Sequence, residues 1–176
     1  GCGCCRRHWL GAAAAATASV ALVARVGPAD AMVGLKTLSE EDKAKYDLPR
    51  NKDVDESFAR GMAYGMVDYE RAVSSKKRDL FKKLLQDLPK TGSVVVEVGM
   101  GSFPNALYFN SKLTPPGIEY IGVDPNDSME FFARENANKA GLLAPDRRAT
   151  LRVAHGVAEA LPLEDGIADA VICTLT

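Results

Sequence analysis

The chain has 176 residues, with 22 Lys and Arg against 23 Asp and Glu and a formal net charge of −1. That balance excludes a basic nucleic-acid arm, and 47% hydrophobic with 26% charged residues is ordinary globular composition, which excludes collagen-like chains and membrane bundles. The length allows one domain with a real core but not two. The charges are unevenly spread: the first 34 residues carry only Arg6, Arg7, Arg25 and Asp30. Three of the four cysteines, Cys2, Cys4 and Cys5, also lie there, leaving Cys173 alone in the domain, so no disulfide framework is expected. The CxCC spacing has no second pair at zinc-finger distance, and no metal site is expected.

After Arg6 and Arg7, an uncharged stretch rich in Ala, Val and Leu runs to Ala24 and is followed by Ala29, Asp30 and Ala31, a small-x-small cleavage pattern. Residues 1–31 therefore read as a targeting peptide. The apolar run is shorter than the roughly 20 residues a membrane-spanning helix needs, and Arg25 interrupts it, so no stable membrane span is expected. A paired arginine ahead of a weakly hydrophobic core resembles a twin-arginine export signal. Two settings use such signals, bacterial export and import into the thylakoid lumen of plastids; a start at Gly1 rather than Met suggests the second, a plant chloroplast protein whose bipartite leader has its first part ahead of Gly1. Translation from Met32 would instead leave an untargeted cytoplasmic protein.

Residues 32–54 read as a loose, polar lead-in, and residues 55–176 as the domain. Phe58, Met62, Met66 and Tyr69 are spaced for a helix over 55–73. A second helix is expected over 74–88, with Leu80, Phe81, Leu84, Leu85 and Leu88 as its apolar stripe and Lys76, Lys77, Arg78, Lys82 and Lys83 facing outward. Ser93 to Val98 is a β-branched run suited to a strand buried on both faces. Pro104 suits the first position of a helix over 105–112. Strands at 119–124, 150–154 and 168–173 and a helix at 127–140 continue the alternation, which predicts an α/β fold with a parallel sheet and flanking helices.

Ligands of such sheets bind beyond the carboxyl ends of the strands. Gly99 and Gly101 there allow close backbone approach. Asp124 follows Gly99 by 25 residues at the end of the second strand and is placed to accept two hydrogen bonds from a ribose diol. Residues 156–162 (GVAEALP) can lie against a purine. A dinucleotide site asks for a small residue where this chain has Pro104, and proline removes a donor that would meet pyrophosphate. A nucleoside ligand without phosphate escapes that objection.

The runs VVVEVGMG, YIGVDPN and GVAEALPLEDGIADAVICTL, with KKRDLFKKLL ahead of them, resemble class I S-adenosylmethionine-dependent methyltransferases. The likeness is to the methyltransferase type 11 group and the small methyltransferase-like proteins, and covers about residues 74–176. It implies a Rossmann-like class I methyltransferase fold, S-adenosyl-L-methionine as cofactor and transfer of a methyl group to a small-molecule acceptor, with no nucleic-acid partner. By position, Glu97, Gly99 and Gly101 would line the methionine part and Asp124 would hold the ribose. Pro125 and Asn126 would flank the adenine, with Ala158 and Glu159 at its edge. Asp169 would begin the fourth strand, with Thr174 at its outlet.

The chain departs from that pattern at Phe103, where a third glycine is usual, and at Val157, where Asp is frequent. Phe103 is expected either to narrow the pocket or to turn outward. The family fold has seven strands, so the resemblance also implies a sheet incomplete after its fourth strand, a fragment that alone folds poorly and is inactive. The catalytic residue is unknown, and so are the acceptor and the oligomeric state. His155 is the one candidate base in the domain, with surface or structural placement the plainer reading, and Cys173 reads as core packing. Rival functions are a noncatalytic binding module that lost cofactor affinity through Phe103, and a nucleotide-dependent oxidoreductase.

Overall fold

The computed structural model describes residues 34–110 and 112–174. The targeting peptide, Cys2, Cys4, Cys5 and Met32 lie outside them. Among the described residues no helix is long and apolar enough to cross a membrane.

The stretch expected to be loose contains helix α1, Glu40–Tyr46. Ser39 caps it by accepting the Asp42 N–H, and three acidic residues fill its first turn, where they favour the positive helix end. This helix buries no residue, so it has no apolar stripe for periodicity to detect. Helix α2, Lys52–Gly65, is capped by Asn51, whose Oδ1 accepts the N–H groups of Asp53 and Val54.

The break before α3, Val67–Asp87, falls at Met66 rather than at Ser74 as expected. Ser74 does not cap a new helix. Its hydroxyl donates back to the Arg71 carbonyl at 2.9 Å, a bond that accommodates serine inside a continuous helix. Phe81, Leu84 and Leu85 of α3 are buried as expected, each worth roughly 1.5–3 kcal/mol of transfer free energy. Phe58 and Lys77 exchange roles relative to the pattern. Phe58 is exposed, whereas Lys77 is 1% exposed and its Nζ meets Glu70 Oε1 at 2.7 Å.

Four parallel strands follow: β1 Val94–Val98, β2 Glu119–Asp124, β3 Thr150–His155 and β4 Ala170–Cys173, in spatial order β3-β2-β1-β4. All five residues of β1 are buried, as its valine run predicts. Alternate residues serve two cores. Val95, Tyr120, Leu151, Ala170 and Ile172 join Phe81 and Leu84 of α3 and Ala133 of α4, Met129–Lys139. Val94, Val96, Val98, Ile121 and Val123 pack with Leu163 on the other face. The architecture is a Rossmann-like α/β sheet with flanking helices.

The helix expected over 105–112 is a short 3-10 helix, Pro104–Phe109. It stops because the Phe109 carbonyl, which a longer helix would need, accepts from the Thr114 hydroxyl and from Arg147 instead. Cys173 is exposed rather than packed in the core. It sits on the outermost strand of the described sheet, in register with Val98. Asp169 immediately precedes β4 and closes its entry: Oδ2 accepts the Val94 N–H while its own N–H donates to the Val94 carbonyl.

Candidate cofactor site

The turn after β1 and the end of β2 form one structure. Gly99 and Gly101 both take positive φ, +66° and +55°, a region glycine enters without steric cost. The N–H groups of Gly99 and Met100 donate to the Val123 carbonyl, and that of Gly101 donates to Asp124 Oδ2 at 2.9 Å. No heavy atom lies within 4 Å of where a Cβ of residue 101 would stand, so the loop surface is open there. Gly122, on β2, faces the opposite condition, since a Cβ would collide with the Met100 side chain.

Asp124 is half-exposed, and its second oxygen, Oδ1, accepts the Asn126 N–H at 2.9 Å. Each carboxylate oxygen keeps acceptor capacity beyond its one backbone bond, which is what a vicinal diol requires. Pro125 is half-buried beside it. Asn126 is buried, and both ends of its amide are used within the protein: Oδ1 accepts the Ser128 N–H and Nδ2 donates to the Asp55 carbonyl of α2. The Gly156 N–H donates to the Asp124 carbonyl, which starts the third loop at the same edge. That loop closes on a Val157–Ala160 bridge, with Ala158 and Glu159 exposed on its turn.

Glu97 occupies the interior of the site. It is 3% exposed; Oε1 accepts from Asn105 Nδ2 at 2.7 Å, while Oε2 has no partner. Burial pushes its carboxyl up to about 8, although the Asn105 bond and the Lys77 charge work against that rise. Asn105 also donates to Thr174 Oγ1 at 2.9 Å, and its own Oδ1 is without a partner. With the Glu97 carboxyl held protonated at neutral pH, Asn105 Oδ1 is the open acceptor of this cluster. Glu97 becomes a second one on losing its proton, a pairing that suits a ligand bringing donors, such as an ammonium group. Asn105 escaped the sequence reading because it lies one position inside the short helix headed by Pro104, with no spacing to distinguish it from a solvent-facing residue.

Phe103 neither narrows the pocket nor turns outward. It adopts φ +56° and ψ +53° and inserts into the core at 1% exposure, its ring 6.0 Å from that of Tyr120 and 6.3 Å from that of Phe109. The glycine-like backbone is kept although the residue is not glycine. His155, for which the sequence offers no partner, has two: Nδ1 lies 2.7 Å from Asp127 Oδ1 and Nε2 lies 2.9 Å from Asp47 Oδ2. Among the described residues no group of three or more His, Cys, Asp or Glu could hold a metal ion.

No curated protein matches the chain. Residues 96–176 match the family model of a methyltransferase domain, a segment that begins inside β1, takes in Glu97, Gly99, Gly101, Asp124 and the 156–162 loop, and leaves α1–α3 outside; the match supports a class I methyltransferase.

Proposed function

We propose that the protein is an S-adenosylmethionine-dependent methyltransferase acting on a small-molecule acceptor. The observation that carries the reading is the braced Asp124 carboxylate, fixed from both sides by backbone N–H groups at an open glycine turn. Asp124 would accept the two ribose hydroxyls. Asn105 Oδ1, an unpartnered buried acceptor, fits the α-ammonium of the methionine part, and Glu97 joins it as an acceptor on giving up its proton. Gly99 and Gly101 let the backbone come close, Pro125 gives the adenine an apolar neighbour, and Ala158 and Glu159 border its edge. The cofactor, when bound, supplies a sulfonium-activated methyl group for in-line transfer. The chain's own share is orientation and exclusion of water, which requires no dedicated acid or base.

Two observations weigh against the rival functions. The binding-module reading rests on Phe103 obstructing the pocket, and Phe103 packs into the core instead. Pyrophosphate would need a helix N-terminus rich in donors. Here that place is held by a six-residue 3-10 helix headed by Pro104. The paired Arg6 and Arg7 and the Ala29–Ala31 pattern support a chloroplast location as part of the same proposal.

The test is equilibrium binding of S-adenosylhomocysteine and, separately, of NADH to the full chain. Saturable binding of the first alone is the expected result. Binding of NADH in its place would transfer the protein to the oxidoreductases.

A further inference from the structure

The Asp124 loop has a support that lies outside the matched domain. Two contacts tie residues 47–55 to it, and a third braces that segment internally. Asn126 donates Nδ2 to the Asp55 carbonyl at 2.9 Å. Arg50 holds the Asp55 carboxylate with two bonds, at 2.6 and 2.9 Å. His155, at the end of β3, lies between Asp127 of the loop and Asp47 at the end of α1. His155 is also the register neighbour of Asp124 across the sheet.

The chemistry of this last contact depends on a proton. A neutral imidazole offers one donor and one acceptor, whereas two carboxylates offer only acceptors. Both sides close only around the imidazolium, since a neutral ring would turn a lone pair toward one of the carboxylates. The charged groups around the ring are Asp47 just after α1, Arg50 just before α2, Lys52 and Asp55 in the first turn of α2, Asp127 from the loop and Asp124 from β2. Burial works against protonation of the exposed ring only in part, and the hydrogen bonds to Asp127 and Asp47 outweigh it and hold His155 above its ordinary value.

We propose that His155 is a positioning residue whose protonated ring clamps residues 47–55 onto the 124–128 loop, holding Asp124 in the geometry that accepts an adenosyl ribose. The inference rests on reading the site as an adenosyl site. A group raised on folding adds stability below its ordinary value and loses that contribution as pH rises through its folded value. The clamp therefore weakens with rising pH, and ligand affinity weakens with it.

The experiment uses the full chain and its His155→Gln and Asp47→Asn variants. S-adenosylhomocysteine is titrated from about pH 5 upward. Amide hydrogen exchange of residues 47–55 and 124–128 is followed on the same samples without ligand. The ratio of wild-type to His155→Gln affinity cancels the contribution of Glu97. That ratio is expected to favour the wild type by about five- to tenfold at the acid end and to approach one at the alkaline end. Protection of 47–55, corrected for intrinsic exchange, should fall with pH in the wild type and stay level in both variants. A ratio that does not change with pH, or wild-type protection that does not, overturns the clamp. Failure of the wild type to bind at any pH overturns the adenosyl reading and the positioning role with it, while the exchange data report separately whether the clamp forms.

Discussion

Asp124 ends β2, Glu97 stands one residue short of the end of the adjacent β1, and the two meet opposite environments. Asp124 is half-exposed, and each of its oxygens is held by a backbone N–H. Glu97 is buried with one oxygen bonded to Asn105 and the other unpartnered. The first is oriented before any ligand arrives, and the second becomes a charged acceptor only on giving up its proton. A site built this way divides its work: one carboxylate fixes where the ligand sits, and the other links its binding to a proton.

The largest expected effect comes from removing the cation behind Glu97. Lys77→Ala leaves Glu70 without its 2.7 Å partner in a largely buried setting, which should cost about 3–5 kcal/mol of stability and push Glu97 further up. Urea unfolding measures it, and a change under about 1 kcal/mol would mean that the pair contributes little and Glu97 is less isolated than described.

Phe103→Gly restores the glycine usual in the resembling family. Loss of a buried ring costs about 3–5 kcal/mol, and relief of a left-handed backbone returns about 1–2, so a net loss of roughly 1–4 kcal/mol is expected. Affinity for S-adenosylhomocysteine should stay within about threefold of the wild type, because the ring belongs to the core. Markedly tighter binding would place Phe103 in the pocket after all.

Glu97→Gln shows its effect in the pH dependence and bears on the contrast itself. Glu97 is raised on folding, so the native chain holds a proton that the unfolded chain releases above the ordinary glutamate range. Stability should therefore fall with rising pH up to about 8, at a rate of up to about 1.4 kcal/mol per pH unit. The Gln variant removes this component. Denaturation curves at several pH values give the two slopes, and equal slopes would show that Glu97 is not the proton-linked group.

The sheet was legible because its strands are written in β-branched runs, SVVVEV and EYIGVD, bounded by Gly, Pro and Asp. The positions of Gly99, Gly101 and Asp124 follow from that topology, since loops at the carboxyl ends of parallel strands converge. What escaped is the contact network between distant segments. Lys77 looks like any solvated lysine until Glu70, two turns earlier on α3, is seen beside it. Asp47 stands in a polar stretch with no apolar period, yet the capping chemistry of Ser39 folds the residues before it into a helix. The pairs His155–Asp47 and Asn126–Asp55 span 108 and 71 residues, distances over which no local pattern speaks.

The central claim is that Asp124 is the ribose-holding group of an adenosyl site, and titration of S-adenosylhomocysteine into the wild type and Asp124→Ala at neutral pH tests it most directly. Loss of hydrogen bonds to a charged acceptor, about 1.5–3 kcal/mol each, predicts that the variant binds at least about tenfold more weakly while retaining its helix and strand content. Equal affinity in the two proteins would contradict the account.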